Sequence, residues 1–118
     1  MLSQKSSETM SELIRRRDEI LELPAEVFSK YRLIILAALW REGELDFKQF
    51  LECIPKISEG NLSGHLKMLV KLGVLDVNKE FIENRPRTTY ILNSDGRRLI
   101  EDISSRLKET FGDIEGDK

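Results

Sequence analysis

The side chains that most often carry out chemistry are scarce in this chain of 118 residues, which contains one histidine and one cysteine. A Ser-His-acid site needs supporting groups around its histidine, and His65 lies in a segment that must also act as a helix. No Gly-rich loop follows a predicted strand, as phosphate binding would require. We therefore expect no enzyme activity and no cofactor.

A metal site is the stronger chemical alternative. Tetrahedral zinc needs three or four Cys and His ligands in one place, whereas this chain offers Cys53 and His65, and a dimer would supply two of each. The apolar neighbours Phe50 and Ile54 predict that Cys53 is buried in a helix, which favours a structural role over a redox or metal-binding one. We therefore expect no bound metal.

The most informative segment runs from residue 58 to residue 75 and is typical of a short helix with one binding face. Ser58 is a good N-cap, Gly73 supplies a left-handed stop, and one apolar stripe is formed by Leu62, Leu66 and Leu69. The opposite side has two glycines and no acidic group; it carries Gly60, Asn61, Gly64, Lys67, Met68 and Lys71. Close approach to the major groove of DNA would compensate for the cost of about 1 kcal/mol that each glycine imposes on a helix.

Each position on this face also has a simpler interpretation. Asn61 can bond adenine, and Ser63 and Lys67 can reach base edges or phosphates, but exposed lysines such as Lys67 are usually only solvated. Gly64 could be small because another helix packs against it. Met68 could contact thymine methyl groups or fill a gap.

Flanking segments predict a helix-turn-helix followed by a hairpin. Residues 45–54 have helical apolar spacing, with Asp46 as a cap and Pro55 beyond the end. Strands are predicted over residues 74–81 and 88–92, joined by a tip of residues 82–87. Two arginines lie in this tip on either side of Pro86, and they either bind DNA or solubilise a turn.

These segments resemble the winged-helix transcriptional regulators of the ArsR and MarR type, most closely a branch common in archaea. The resemblance covers roughly residues 23–106 and rests on residues 27–33, 60–63, 65–66, 73, 85–90 and 96–97. It implies a mainly α winged helix-turn-helix fold with a β-hairpin wing, acting as a dimeric, sequence-specific regulator of transcription. The third helix of the domain would read the major groove, and the wing would contact the backbone or minor groove.

Under this interpretation the DNA contacts come from the helix of residues 58–72 and from the wing of residues 82–88. They are Ser58, Gly60, Asn61, Ser63, Gly64, His65, Lys67, Lys71, Arg85, Arg87 and Thr88. His65 lies beside the apolar stripe, so it is either a half-buried packing residue or a contact to the DNA backbone. The metal-binding cysteine motif of ArsR-type proteins is absent, so metal sensing is not implied.

Apolar residues outside the helix-turn-helix exceed what one small domain can bury. Helices are predicted from residue 7 or 9 to 21, from 25 or 26 to 41 and from 94 to 111, and residues 33–40 are apolar all round. We expect the terminal helices (1–23 and 94–111) to flank the DNA-binding domain (24–93) and form an isologous homodimer. The expected interface residues are Met10, Leu13, Ile14, Ile20, Leu36, Trp40, Ile100, Ile103, Leu107 and Phe111. Residues 112–118 predict a disordered acidic tail.

Net charge is the main argument against DNA binding. With 19 basic and 21 acidic side chains the formal charge is −2, whereas DNA-binding domains usually carry a basic excess. The alternative is a winged helix that serves as a protein-interaction module. The triplet Arg15-Arg16-Arg17 predicts a solvent-facing helix surface rather than a second nucleic-acid patch.

Localisation and ligands are only weakly constrained. No apolar run reaches the ~18–20 residues of a membrane span, and no signal-peptide pattern opens the chain. A single cysteine suits a reducing cytoplasm, so we expect a cytoplasmic protein without membrane contact. A groove between dimer helices could hold a small-molecule effector, whose identity the sequence does not specify.

Overall fold

The computed structural model describes residues 2–112, with side chains from Thr9 onward. The helices are α1 (Leu2–Leu21), α2 (Lys30–Glu42), α3 (Phe47–Cys53), α4 (Glu59–Lys71) and α5 (Ser94–Phe111), with a 3-10 turn at Ala25–Val27. The strands are β1 (Glu44–Asp46), β2 (Leu75–Ile82) and β3 (Arg85–Leu92), which form an antiparallel sheet in the order β1-β3-β2. This arrangement confirms the predicted mainly α winged helix.

The described chain divides into two compact units. One is Ala25–Ile100, which contains the helix-turn-helix and the wing, and the other combines the described residues before and after it. Within the described range, no helix is both long enough and apolar enough to cross a membrane.

The core of the unit formed by residues 25–100 is built from the apolar stripes of three helices and the base of the sheet. It contains Val27, Ile35, Leu36, Leu39, Phe50, Ile54, Leu62, Leu66, Leu69, Val74, Leu75 and Leu92. The predicted stripe of α4 is fully buried, because residues spaced by three and four lie on one side of a helix. Leu33, Ile34 and Trp40 stay 41%, 45% and 39% exposed, so α2 is apolar beyond what this unit covers.

Helix α2 begins later than predicted. Ser29 has extended backbone angles (φ −133°, ψ 143°) and its hydroxyl accepts a hydrogen bond from the Arg32 amide, which makes it the N-cap. Residues 25–27 therefore form a separate 3-10 turn and not the first helical turn. The helix ends at Gly43, whose φ of +86° suits a residue without a Cβ.

The hairpin is longer and tighter than predicted. Only Glu83 and Asn84 connect the strands, with φ of +54° and +63°, which suits a two-residue turn with both central residues left-handed. The predicted tip of residues 82–87 is therefore wrong, and both wing arginines lie on β3. Pro86 is opposite Phe81, beyond the three residues of β3 that pair with β1, so its missing N–H breaks no bond to that strand.

Helix α5 has the predicted bounds, and Asn93 fixes its start. The Asn93 side-chain oxygen accepts from the Gly96 amide at 2.8 Å, and its nitrogen donates to the Gly73 carbonyl at 3.0 Å and to Asp76 at 3.1 Å. A Cβ at Gly96 would lie 2.3 Å from the Val74 carbonyl oxygen. The chain therefore needs glycine here so that α5 can pack against the base of the wing.

The second compact unit, formed by the described residues up to Pro24 and from Glu101 onward, is held together by ion pairs between α1 and the second half of α5. Arg106 donates to the Glu19 carbonyl at 2.7 Å and to the Glu22 carboxylate at 3.1 Å. Arg16 lies between Glu12, Glu19 and Glu109. The arginine triplet is thus engaged in local ion pairs, since Arg15 contacts Glu12 and Arg17 contacts Asp18. Apart from Gly112, which has a φ of +81°, the predicted acidic tail lies outside the described residues.

Candidate nucleic-acid interface

Helix α4 presents the face that the sequence predicts to bind DNA. Its start is set by Ser58, whose hydroxyl accepts the Asn61 amide hydrogen at 3.1 Å. We call the outward residues of this helix the recognition face; all are exposed except the half-buried Met68. They are Gly60, Asn61, Gly64, Lys67, Met68 and Lys71. The side-chain amide of Asn61 and the side chains of the two lysines make no hydrogen bond or ion pair with other described residues, so they are available to a partner.

The two glycines of the recognition face have open space above them. Beyond the backbone of α4 itself, a Cβ built at Gly60 or Gly64 meets no atom of the described residues within 4 Å, in contrast to Gly96. Intramolecular helix packing therefore does not explain Gly64, which was the simpler interpretation of its small size. Neither glycine has a positive φ, so backbone conformation does not require them either.

His65 is half buried between α4 and the start of α2. Its Nδ1 atom accepts from Arg32 Nε at 3.1 Å, and the Tyr31 ring lies 5.5 Å away at a tilt of 39°. Burial lowers the pKa of His65, and the positive charge of Arg32 lowers it further. The remaining predicted contact on this helix, Ser63, is also half buried.

The two wing arginines differ in their surroundings. Arg87 donates from Nε to Asp46 at 3.2 Å and pairs across the strands with Glu80. Arg85 pairs across the strands with Ile82 and has no ion pair within the described part of the chain. Arg85 is therefore the freer cation, whereas Arg87 connects the wing to the helix-turn-helix. Thr88 is half buried opposite Lys79.

Asp46 has two roles that the sequence only half predicts. One carboxylate oxygen accepts the Gln49 amide hydrogen at 2.8 Å, and the Gln49 side chain accepts the Asp46 amide hydrogen at 2.8 Å, which is a capping box for α3. The other oxygen binds Arg87. Strand β1, which positions Asp46, was not predicted, because three residues carry no readable periodicity.

Cys53 is exposed, which corrects the prediction that it is buried. Helix α3 ends at this residue, and Ile54 takes extended backbone angles (φ −112°, ψ 104°). Helical spacing therefore no longer places Cys53 beside Ile54, which turns into the core while the thiol does not. Within the described residues, no group of three or more His, Cys, Asp or Glu side chains could hold a metal ion.

The residues predicted for a dimer interface differ in how exposed their side chains are. Met10, Leu13, Ile14 and Phe111 are exposed, by 54%, 44%, 49% and 73%, and Ile20, Ile100 and Leu107 are half buried. Trp40 is 39% exposed, with the Arg97 guanidinium 5.6 Å from its ring. Leu36 and Ile103 are only 2% and 8% exposed. Leu36 is therefore corrected to a core residue of its own unit, and Ile103 offers little surface for a partner.

One known protein family matches most of the chain. Residues 31–111 match the family described as winged helix DNA-binding domain. This range contains α4, the whole wing, all of α5 and all of α2 except its first residue. No curated protein matches the chain.

Solved structures of regulators share the fold. A transcriptional regulator homologue from Pyrococcus horikoshii has a TM-score of 0.63 at 21% identity, covering 80% of this chain and 95% of that chain. A structure described as a MarR-family regulator from Enterococcus faecalis has a TM-score of 0.63 at 25% identity, with 74% and 79% covered. NadR in complex with 4-hydroxyphenylacetate has a TM-score of 0.58 at 23% identity, with 93% and 72% covered.

Proposed function

Because the chain belongs to the winged helix DNA-binding domain family, we propose that it is a sequence-specific transcriptional regulator that places α4 in the DNA major groove. The open space above Gly60 and Gly64 is the single observation that carries this proposal. Two bare positions beside Asn61, Lys67 and Lys71 let the helix backbone approach a surface that is rich in hydrogen-bond acceptors and negative charge.

We assign different roles to the contacts. Asn61 is the base-reading residue, because its side-chain amide can bond adenine bidentately and has no partner within the described chain. Lys67 and Lys71 contact phosphates or base edges, and Ser58, Ser63 and His65 border the backbone. In the wing, Arg85 is the main contact to backbone or minor groove. Arg87 and Thr88 are secondary ones, because an ion pair already holds Arg87.

A homodimer would supply the specificity that one helix lacks. One recognition helix reads only a few base pairs, so two copies with two-fold symmetry, about one DNA turn (~34 Å) apart, are expected. The exposed apolar residues of α1 and α5 are the proposed contact: Met10, Leu13, Ile14 and Phe111, with Ile20, Ile100 and Leu107 beside them. Burying several such side chains at ~1.5–3 kcal/mol each would make the dimer obligate.

Sedimentation of the free protein at micromolar concentration tests this assembly. We expect twice the chain mass of 13.7 kDa. Leu13→Glu combined with Ile14→Glu should give a folded monomer, whereas the matched pair Arg15→Glu and Arg17→Glu should stay dimeric. A wild-type monomer, or a dimer that tolerates the first pair of changes, would refute the proposed interface.

The closest alternative is a winged helix that binds protein and not DNA. The net charge of −2 and the neutralised Arg87 favour it, whereas the recognition face favours DNA. Selection of bound sequences from random duplex DNA decides between the two. An enriched two-fold-symmetric motif supports the proposed function and reports the half-site spacing, whereas no enrichment at low salt refutes it.

Subtype and effector are narrower questions. The resemblance of residues 60–63, 65–66 and 85–90 to the archaeal branch of the ArsR and MarR type supports a place in that branch. NadR binds 4-hydroxyphenylacetate, but at 23% identity only the fold is comparable, so no effector is assigned to this chain.

A further inference from the structure

The contact between Arg32 and His65 joins α2 to α4 at the edge of the recognition face. Arg32 is anchored twice, because Nε donates to His65 Nδ1 at 3.1 Å and a terminal nitrogen donates to the Glu26 carbonyl at 2.6 Å. Tyr31 covers the imidazole with its ring centroid at 5.5 Å. His65 lies one helical turn after Asn61, so the two side chains are neighbours on the surface of α4.

This contact determines which nitrogen of His65 carries the proton. An arginine side chain only donates, so the Nδ1 atom that receives its hydrogen bond must be unprotonated. A neutral imidazole with an unprotonated Nδ1 carries its hydrogen on Nε2. Among the described residues, Nε2 has no partner, and the one buried side-chain polar atom without a partner is Thr110 Oγ1. The Nε2–H group is therefore not fully buried.

The charged groups around His65 keep the ring neutral. From α2 it faces Arg32, whose charge disfavours a second cation, and the ring of Tyr31. The 3-10 turn contributes the Glu26 carbonyl to Arg32, and no charged group of α3, β2 or that turn shifts the pKa of His65. Burial acts in the same direction as Arg32.

We propose that Arg32 is a positioning residue that holds His65 in the Nε2–H tautomer, so that α4 donates one uncharged hydrogen bond to a DNA phosphate. Phosphate oxygens only accept, so a pure donor at the edge of the recognition face suits the backbone better than the bases, which offer both donors and acceptors. This inference rests on the proposed function, but it makes a claim about the free protein that is measurable without DNA.

The free protein provides the first test, because His65 is the only histidine and its ring signals need no assignment. Nitrogen NMR of the imidazole should show a protonated Nε2 and an unprotonated Nδ1 at neutral pH. The pKa should be below the ordinary value of about 6.5 and should rise in Arg32→Gln. A Nδ1–H tautomer, or a pKa that Arg32→Gln leaves unchanged, would overturn the proposal.

Two amide substitutions provide the second test on a selected DNA site. Glutamine can place an N–H near the position of Nε2, whereas asparagine can accept from Arg32 but does not reach as far. We expect His65→Asn to weaken binding about tenfold (~1.4 kcal/mol) and His65→Gln by less than about threefold. The salt dependence should not change, because a neutral donor releases no counterion. Equal affinities for both variants and wild type would refute the phosphate contact.

Changing Arg32 should also alter the response of DNA binding to pH. Wild-type affinity should respond less to a fall in pH than the affinity of Arg32→Gln, because burial and Arg32 both lower the pKa of His65. In Arg32→Gln the ring can protonate as pH falls, so affinity should rise towards pH 6, and the salt slope should steepen by up to about one unit per monomer. If Asn61→Ala weakens binding while His65→Asn does not and Arg32→Gln leaves the pH dependence unchanged, the proposed function stands and this inference fails.

Discussion

Replacing Gly64 with alanine should stabilise the protein and weaken its binding to DNA. Beyond the backbone of α4, the added Cβ would meet no atom of the described part of the chain within 4 Å, and the helical φ of Gly64 is compatible with alanine. Alanine is favoured over glycine inside a helix by about 0.5–1 kcal/mol. We therefore expect the free energy of unfolding to rise by up to about 1 kcal/mol, because no described residue opposes the change.

The same methyl group lies where the proposed complex needs the closest approach. An extra heavy atom between the helix backbone and the base edges should weaken binding to the selected site at least about tenfold (~1.4 kcal/mol). Gly64→Glu adds bulk and negative charge and should abolish binding while the protein stays folded. Denaturant titration measures stability, and fluorescence anisotropy with a labelled duplex measures affinity.

Gly96→Ala is the matched control, because it adds the same methyl group at a tightly packed position. Its Cβ would lie 2.3 Å from the Val74 carbonyl oxygen and 2.5 Å from a Leu92 methyl carbon. Overpacking typically costs about 1–3 kcal/mol, which outweighs the gain in helix propensity. Two results for Gly64→Ala would refute the idea that the open space at Gly64 allows close contact with DNA. One is a protein less stable than wild type, and the other is a protein that binds DNA as tightly as wild type.

Three further predictions concern the other contacts. Asn61→Ala should cost about 1–3 kcal/mol on the selected site and much less on random DNA, and equal losses would make Asn61 a positioning contact. Arg85→Ala should flatten the plot of log affinity against log salt by up to about one unit per monomer, whereas Arg87→Ala should change it less; equal effects would contradict the difference between them. Asp46→Asn keeps a capping oxygen but removes the charge that pairs with Arg87. The affinity for random DNA should therefore rise, because Arg87 is freed to contact the backbone. An unchanged affinity would show that Arg87 does not reach DNA.

The exposed Cys53 shows where local sequence patterns fail. The spacing of Phe50, Cys53 and Ile54 indicates one buried helical side, yet the helix ends one residue earlier than that pattern assumes. The prediction for Leu36 fails in the opposite direction, because this residue was expected at a dimer interface and is buried in the core. An apolar run such as residues 33–40 does not indicate which sides of the helix its own domain covers. Only the packing of α2 selects Ile35, Leu36 and Leu39 for the core.

The amino-acid sequence by itself determined the features that depend on residues within a few positions of each other. These are the caps at Ser58 and Asp46, the buried stripe of α4, the stop at Gly73 and the bounds of α5. Capping and helical periodicity are local, so no distant partner is needed to read them.

Tertiary structure decided the features that depend on distant residues. Arg87 meets Asp46 across 41 positions and Arg32 meets His65 across 33, and strand β1 exists only because β3 pairs with it. The sequence showed four basic side chains near a predicted DNA surface. The fold decided that one of them is already paired and that an arginine outside this set, Arg32, orients the only histidine. One charged group affects another strongly only when the two lie close together, and only the folded chain determines which charged groups do so.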